Sequence, residues 1–322
     1  MTPRLYIGTC GFSLWYSEDL GETLVRLLSD SGLYSETRIF SLCTHLAAPD
    51  ELLAGTDSGV HRLNLKTRKW TSLAPLMGPD TNVWSVAQAP DNPDVILAGT
   101  RPAAVFRSID RGRSWKVADA DLPKTCPAVL LPRVTKIQFD PADAQRVWAG
   151  LEIGGVWHSK DGGQSFQNIS KRIGSDDIHD VNIVRNGATA LYVATNRGLF
   201  VSHDRSETWR EVAFPSSWKY TRSVTPRADN SGVVFLCNGD GPPGSTGKLL
   251  RSRDYGKHWD DAKLPPDIRS CLWCMATHHS DPNLIFASTA LGQYLRSKDG
   301  GESWTILSRQ LGETRALVWM PG

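Results

Sequence analysis

SKDGGESW, residues 297–304, is one of five copies of Ser-x-Asp-x-x-x-x-Trp/Phe in this chain, and the repeat decides the fold. The others are SIDRGRSW from Ser108, SKDGGQSF from Ser159, SHDRSETW from Ser202 and SRDYGKHW from Ser252. They recur at a spacing of roughly 40–50 residues, which is the length of one four-stranded propeller blade. A motif used once per blade serves the blade, so its aspartates are read as structural rather than catalytic.

Working outward from the motif, the preceding segments align with few gaps. NVWSVAQAPDNPDVILAGT (82–100) lies over RIFSLCTHLAAPDELLAGT (38–56) and RVTKIQFDPADAQRVWAGL (133–151), and over the segment that begins at Cys271. DIHDVNIVRNGATALYVAT and YTRSVTPRADNSGVVFLCN are looser copies. Each copy reads as a strand, a turn rich in Pro, Gly or Asn, and an apolar strand. A third strand follows (VFRSID, VWHSKD, LFVSHD, LLRSRD, YLRSKD), and a fourth starts at the motif aromatic. This makes six complete blades. The opening segment, with SEDLGETLVRL as a degenerate motif, supplies three more strands, and Thr314–Pro321 matches a first strand. The expectation is an all-β, seven-bladed propeller of four-stranded antiparallel blades. It forms a single domain over 1–322, closed by a composite blade from 1–29 and 313–322. Closure of this kind removes exposed sheet edges.

Composition fits. Hydrophobic residues make up 40% of the chain, enough for a packed core, and Gly 28 with Pro 19 suits many short strands and turns. A net charge of +2 gives no case for a nucleic-acid partner. No run approaches the ~20 apolar residues of a membrane span, and the N-terminus lacks a secretory pattern. The six cysteines show no disulfide spacing, so free thiols in a reducing, cytoplasmic setting are expected. A monomer is expected, with no cofactor.

These motifs resemble the BNR or Asp-box repeat family, which includes sialidase-like glycosidases, sortilin-type propellers and photosystem II assembly factors of the Ycf48 type. The resemblance covers essentially the whole chain. It implies the fold and is nearly silent on function, because the family holds both enzymes and binding proteins. The motif Asp is expected to accept backbone N–H bonds across its turn. Calcium binding is the weaker reading, since one Asp per turn supplies too few oxygens.

The blade register exposes where the copies disagree. The Trp84 position carries Phe40, Trp84, Thr135, His179, Arg222, Trp273 and Arg315. The Val86 position is uniformly apolar, as core requires. Two residues upstream of the first set stand Arg38, Asn82, Arg133, Asp177, Tyr220, Cys271 and Glu313; loops after the second strands add Asp57, Arg101, Glu152, Arg197 and Asp240. Arginine forks suit carboxylate, sulfate or phosphate groups, and aromatic walls suit a sugar or aryl ring. The predicted ligand site is therefore Arg38, Phe40, Trp84, Arg101, Arg133, Arg222, Trp273 and Arg315. In the competing reading these arginines merely pair with Asp177, Glu152 and Glu313. The loop 238–248 is a candidate lid.

For chemistry, His179 is the candidate general base, with Glu152 as its carboxylate partner. The arginine-rich segment typical of sialidases is absent, which puts sialidase activity in doubt. A metal shared by His45, His278 and His279 is not expected. Two functions stay open. One is a propeller whose central pocket binds an anionic small molecule or sugar, with or without hydrolase or lyase chemistry. The other is a non-catalytic binding or assembly propeller that recognises an acidic protein or peptide.

Overall fold

The structure, a computed structural model, describes residues 2–73, 81–171, 173–186, 188–204 and 206–322. Arg205, inside the third-from-last motif copy, and Gly187, between two expected strands, lie outside the described residues. Seven four-stranded antiparallel sheets form the blades of a β-propeller. Among the described residues the helical content is one 3-10 turn, Ser29–Ser31.

The composite blade contains β1 (Arg4–Thr9), β2 (Leu14–Ser17) and β3 (Val25–Arg26). The first blade is β4 (Ile39–Cys43), β5 (Glu51–Thr56), β6 (Gly59–Asn64) and β7 (Lys69–Ser72). The second is β8 (Asn82–Ala89), β9 (Asn92–Arg101), β10 (Val105–Ser108) and β11 (Lys116–Val117). The third is β12 (Arg133–Asp140), β13 (Asp143–Glu152), β14 (Gly155–Ser159) and β15 (Gln167–Asn168). The fourth is β16 (Ile178–Asn186), β17 (Ala188–Thr195), β18 (Gly198–Ser202) and β19 (Arg210–Val212). The fifth is β20 (Thr221–Pro226), β21 (Val234–Gly239), β22 (Gly247–Ser252) and β23 (Asp260–Asp261). The sixth is β24 (Leu272–Ala276), β25 (Ile285–Thr289), β26 (Tyr294–Ser297) and β27 (Thr305–Ile306). β28 (Thr314–Met320) then pairs with β1, from Arg4 opposite Met320 to Thr9 opposite Thr314. The composite blade therefore has the expected make-up, order β28-β1-β2-β3.

By internal contacts the chain divides into two compact units. One holds Met1–Cys10, Leu14–Arg26 and Asn182–Gly322; the other holds Gly11–Ser13 and Leu27–Val181.

Each motif is a knotted turn. In the second blade Ser108 Oγ donates to Asp110 Oδ1 at 2.8 Å and accepts from Gly112 N at 2.8 Å, while Asp110 takes the Ser114 N–H at 2.9 Å and its hydroxyl at 2.6 Å. The same pattern holds at Asp161, Asp204, Asp254 and Asp299. The degenerate copy keeps it too, through Ser17, Asp19 and Thr23. The first blade has no such motif; there Asn64 Oδ1 accepts the N–H groups of Lys66 and Thr67.

The turn places two successive residues at positive φ: Leu20/Gly21, Arg111/Gly112, Gly162/Gly163, Tyr255/Gly256 and Gly300/Gly301. At the second of these a side chain has no room. A Cβ on Gly163 would stand 2.7 Å from Leu97 Cδ1, and one on Gly301 2.4 Å from Phe235 Cζ. The turn thus sits against the blade before it.

That turn is also an acceptor. The reversal leaves a backbone carbonyl facing the preceding blade, and a side chain there donates to it. Arg62 Nη2 bonds Arg111 O at 2.5 Å, Arg107 Nε bonds Gly162 O at 3.0 Å, and Arg296 Nη1 bonds Leu20 O at 2.8 Å. Arg251 Nη1 bonds Gly301 O, and Tyr192 OH reaches Tyr255 O at 2.9 Å. A cationic donor to a buried carbonyl contributes about 1.5–3 kcal/mol.

The motif carboxyls are held at about 2, below their ordinary 3.8, at Asp110, Asp161, Asp204, Asp254 and Asp299. At Asp110 and Asp204 the largest cause is the hydroxyl of Ser114 or Thr208. At the other three, partial burial is the largest single cause and pushes upward, but the summed hydrogen bonds outweigh it. Elsewhere, burial first, then Arg146 and Lys160, push the His158 imidazole from 6.5 down to about 4. It stacks on Trp148 with centroids 4.8 Å apart.

Two tests follow from this geometry. Depressed carboxyls favour the folded state fully above about 4 and lose that contribution as pH falls toward 2; a depressed imidazole contributes above 6.5 and loses it as pH falls toward 4. A Tm-against-pH scan should therefore show two declining segments. Asp161→Asn should flatten the lower one and His158→Phe the upper. In the copy SHDRSETW, Ser206 stands where the others carry glycine, at φ 81, with its buried hydroxyl unpartnered among the described residues. Ser206→Gly should relieve left-handed strain and raise stability by about 1 kcal/mol net of chain entropy, or roughly 2 °C in Tm. A lower Tm would contradict the assignment.

Candidate functional site

The position that varies among the repeats is a β-bulge. In β8, Val83 pairs Thr100 and Ser85 pairs Gly99, so Trp84 is the extra residue. The same slip isolates Phe40, Thr135, Trp273 and Arg315, and in β20 it isolates Arg222 with Ser223 against Cys237. A bulge frees one residue from the ladder and re-aims its side chain. In these six first strands the residue at this position is thereby released from the alternation that commits its neighbours to core. At the Val86 position Val86, Ile137, Val181, Val224, Met275 and Leu317 are buried as expected of core, and Leu42 is half-buried.

The bulge is fixed by close packing behind it. Gly99 lies opposite Ser85, and a Cβ there would meet Val134 Cγ1 at 2.4 Å; at Gly150 it would meet Ile178 Cγ2 at 2.7 Å. Glycine at these points lets the next first strand approach.

In the unit that includes 27–181, the bulged side chains stack. The Phe40 and Trp84 rings lie 4.2 Å apart at 13°, and the Arg133 guanidinium stands 3.9 Å from the Trp84 ring. Arg133 forms an ion pair with Glu152, its direct partner across β12 and β13. His179 Nε2 faces Asp177 Oδ2 at 3.4 Å. The expected His179–Glu152 partnership is not the one seen: Glu152 is engaged by Arg133, and Asp177, just before β16, lies nearest His179. Asp180 points elsewhere and meets Lys136 Nζ at 3.5 Å. Arg101 is tied through its side chain, whereas exposed Arg38 is held through its backbone. The Arg38 N–H donates to Asp57 Oδ2 at 3.2 Å, and burial pushes the Asp57 carboxyl up. Arg101 Nε donates to Leu131 O at 3.3 Å.

In the other unit the arrangement is two guanidiniums on one indole. Arg222 Cζ lies 4.0 Å from the Trp273 ring and Arg315 Cζ 4.8 Å from it. Arg315 Nε donates to Glu313 Oε1 at 2.6 Å. Glu313/Arg315 and Asp177/His179 occupy the same two repeat positions, and in both the acid two residues upstream lies within ion-pair distance of the base. In β20 the upstream position is Tyr220. No carboxylate among the described residues lies within ion-pair distance of Arg222. The competing reading of a self-paired rim thus describes Arg133 and Arg315, but not Arg222.

Nearby thiols are inert by environment. Burial pushes Cys271 up to about 12 and Cys274 up to about 11. All six cysteines are free. His45 Nε2 is 2.9 Å from Ala89 O, and His278 packs on His279 and Trp319. Among the described residues no cluster of metal-ligating groups forms. The loop 238–248 is laced rather than loose. Asp240 Oδ1 takes the Ser245 N–H at 2.9 Å, its Oδ2 takes the Ser245 hydroxyl, and Pro243 O accepts the Cys271 N–H at 2.8 Å.

The Sortilin-Vps10 family model (Sortilin, neurotensin receptor 3) matches residues 154–288. A xyloglucanase from a Paenibacillus species is 25% identical over 80% of this chain and 30% of its own length. The chain spans only 25% and 30% of the two curated xyloglucanases it matches. Among solved structures, the GH74 xyloglucanase of Xanthomonas campestris superposes with TM-score 0.66 and 22% identity, over 84% of this chain and 45% of that one. YCF48 bound to a D1 peptide gives TM-score 0.58 and 17% identity, over 83% and 80%. At these identities the two structural likenesses speak to the fold alone.

The Arg133–Glu152 pair is testable without a ligand. Both side chains are mostly buried, at 19% and 15% exposure. Arg133→Met should cost about 3 kcal/mol, because it strands a buried carboxylate, and the double variant with Glu152→Met should recover part of that loss. A double variant no more stable than the single would refute the coupling in thermal or urea unfolding.

Proposed function

We propose that this propeller is a ligand-binding protein whose receptive groups are the bulged residues of its first strands, with Arg222 on Trp273 as the anchor for an anionic group. The observation that carries the reading is the uncompensated guanidinium. Arg222 is held flat on an indole, next to a second arginine already neutralised by Glu313. A planar, pre-oriented fork loses little entropy on taking a carboxylate or phosphate oxygen pair. The buried Trp273 removes water from one side and strengthens that contact. The ligand class is an acidic sugar or the acidic group of a peptide, in keeping with relatives that include both xyloglucanases and a peptide-bound structure. Six unbridged cysteines fit the proposal of a reducing, cytoplasmic location.

The second reading is glycoside hydrolysis, favoured by the curated xyloglucanases. It requires two carboxyl groups placed about the scissile bond. Its candidate groups are Glu152 and Asp177 with His179, and the Arg133 guanidinium would have to release Glu152 before that carboxyl could move a proton.

The experiment is a thermal-shift and calorimetric screen of sugar acids, phosphates and acidic peptides, with xyloglucan oligosaccharides alongside. Binding of an anionic class, weakened about tenfold or more by Arg222→Ala and less by Arg315→Ala, is the expected result. Equal response of wild type and Arg222→Ala would remove the anchor. Release of reducing ends from xyloglucan, lost in Glu152→Gln and His179→Ala, would establish the hydrolase instead.

A further inference from the structure

A cleft of about 260 Å3 lies beside the β22–β23 hairpin, lined in part by Lys248, Asp261, Lys263, Leu264, Pro265 and Ile268. It is built from other residues than the bulge row, and its charges do not cancel. Lys248 Nζ is 3.3 Å from Asp261 Oδ2, and Asp261 Oδ1 accepts the Lys263 N–H at 2.9 Å. The one carboxylate lining the cleft is therefore committed. The Lys263 ammonium has no carboxylate within ion-pair distance among the described residues. Leu264, Pro265 and Ile268 supply the apolar part of the lining, stiffened by proline.

Lys248 is also approached by a loop outside the cleft lining. Lys248 Nζ stands 5.8 Å from the Trp218 ring. The loop bearing Trp218 is pinned from below by Asn238, which is fully buried. Asn238 Nδ2 donates to Trp218 O at 3.0 Å and to Tyr220 O at 2.7 Å, and its Oδ1 accepts the Ser216 hydroxyl at 2.6 Å. A half-exposed indole on so constrained a loop is set for contact with a ring at small entropic cost.

We propose that this cleft is a separate binding site for a small ligand in which a carboxylate is joined to a single ring, aryl or pyranose. The carboxylate meets Lys263 and the ring lies on the Leu264–Pro265 wall. The volume sets the size: it lies just below the ~300 Å3 lower bound of ordinary ligand pockets, room for one ring but not for an oligomer.

Protein-observed NMR titration with benzoate and with glucuronate tests this, using benzyl alcohol and glucose as uncharged counterparts. The expected result is that at least one acid perturbs residues 261–268 while its uncharged counterpart does not. Lys263→Gln should weaken that binding about tenfold, the worth of one charge-assisted contact. Arg222→Ala should leave it unchanged, which separates this site from the bulge row. Which acid binds identifies the ring. The proposal is overturned if neither acid perturbs the segment, if the uncharged compounds bind equally, or if Lys263→Gln binds as the wild type does.

Discussion

A backbone carbonyl turned toward the neighbouring blade is the interaction on which the rest of this molecule depends. The Asp-centred turn exposes it by forcing two residues into the left-handed region, and the strain is held by four side-chain hydrogen bonds to one Ser and one Asp. The preceding blade then answers with a donor: Arg62, Arg107, Tyr192, Arg251 or Arg296. The donor is chemically variable because the acceptor is backbone. The acceptor is the carbonyl of the fourth motif residue in four of these turns and of the fifth in the turn at Gly301. Blade-to-blade contact on this side is thus a directional polar bond added to apolar packing, and it leaves no freedom for a ligand.

The other end of each blade obeys a different constraint. In the first three blades a second-strand glycine (Gly55, Gly99, Gly150) lets the next first strand come close, and in six first strands the register carries an extra residue at this end. The extra residue is excused from both ladder and core. Evolution can place Phe, Trp, Thr, Arg or Trp there without disturbing the sheet. At this row an acid just before the strand faces the base on it, as in Glu313/Arg315 and Asp177/His179. Where the upstream acid is missing, as at Tyr220, the base stands uncompensated. The binding reading rests on that local failure of compensation rather than on the protein's near-neutral total charge.

Much of this was legible in the residues. The motif spacing gave the blade count and the make-up of the composite blade, because both follow from periodicity. The disagreement at the Trp84 position marked the site row, because a repeat that varies where its neighbours are constant signals a local release from packing. That the release is a bulge was not legible, since one extra residue looks like ordinary alignment. Nor were the partners. Glu152 lies across the ladder from Arg133, and only the register shows it. Asp177 precedes His179 by two residues but lies just before β16 begins, so strand alternation does not dictate the approach of the two side chains. The arginine that precedes the motif serine in SID, SRD and SKD copies was visible as Arg107, Arg251 and Arg296. Its acceptor is a carbonyl, and no sequence displays which carbonyls are turned outward.

We propose a division of labour: the motif turns hold neighbouring blades together, and the bulged residues at the other end receive the ligand. Tm and anion affinity measured in parallel on Arg107→Met and Arg222→Met test it most directly. Arg107→Met should lower Tm and leave affinity within error of wild type, while Arg222→Met should keep Tm and lose affinity. If both variants lost stability and affinity together, the two sides would not be separable and the account would be wrong.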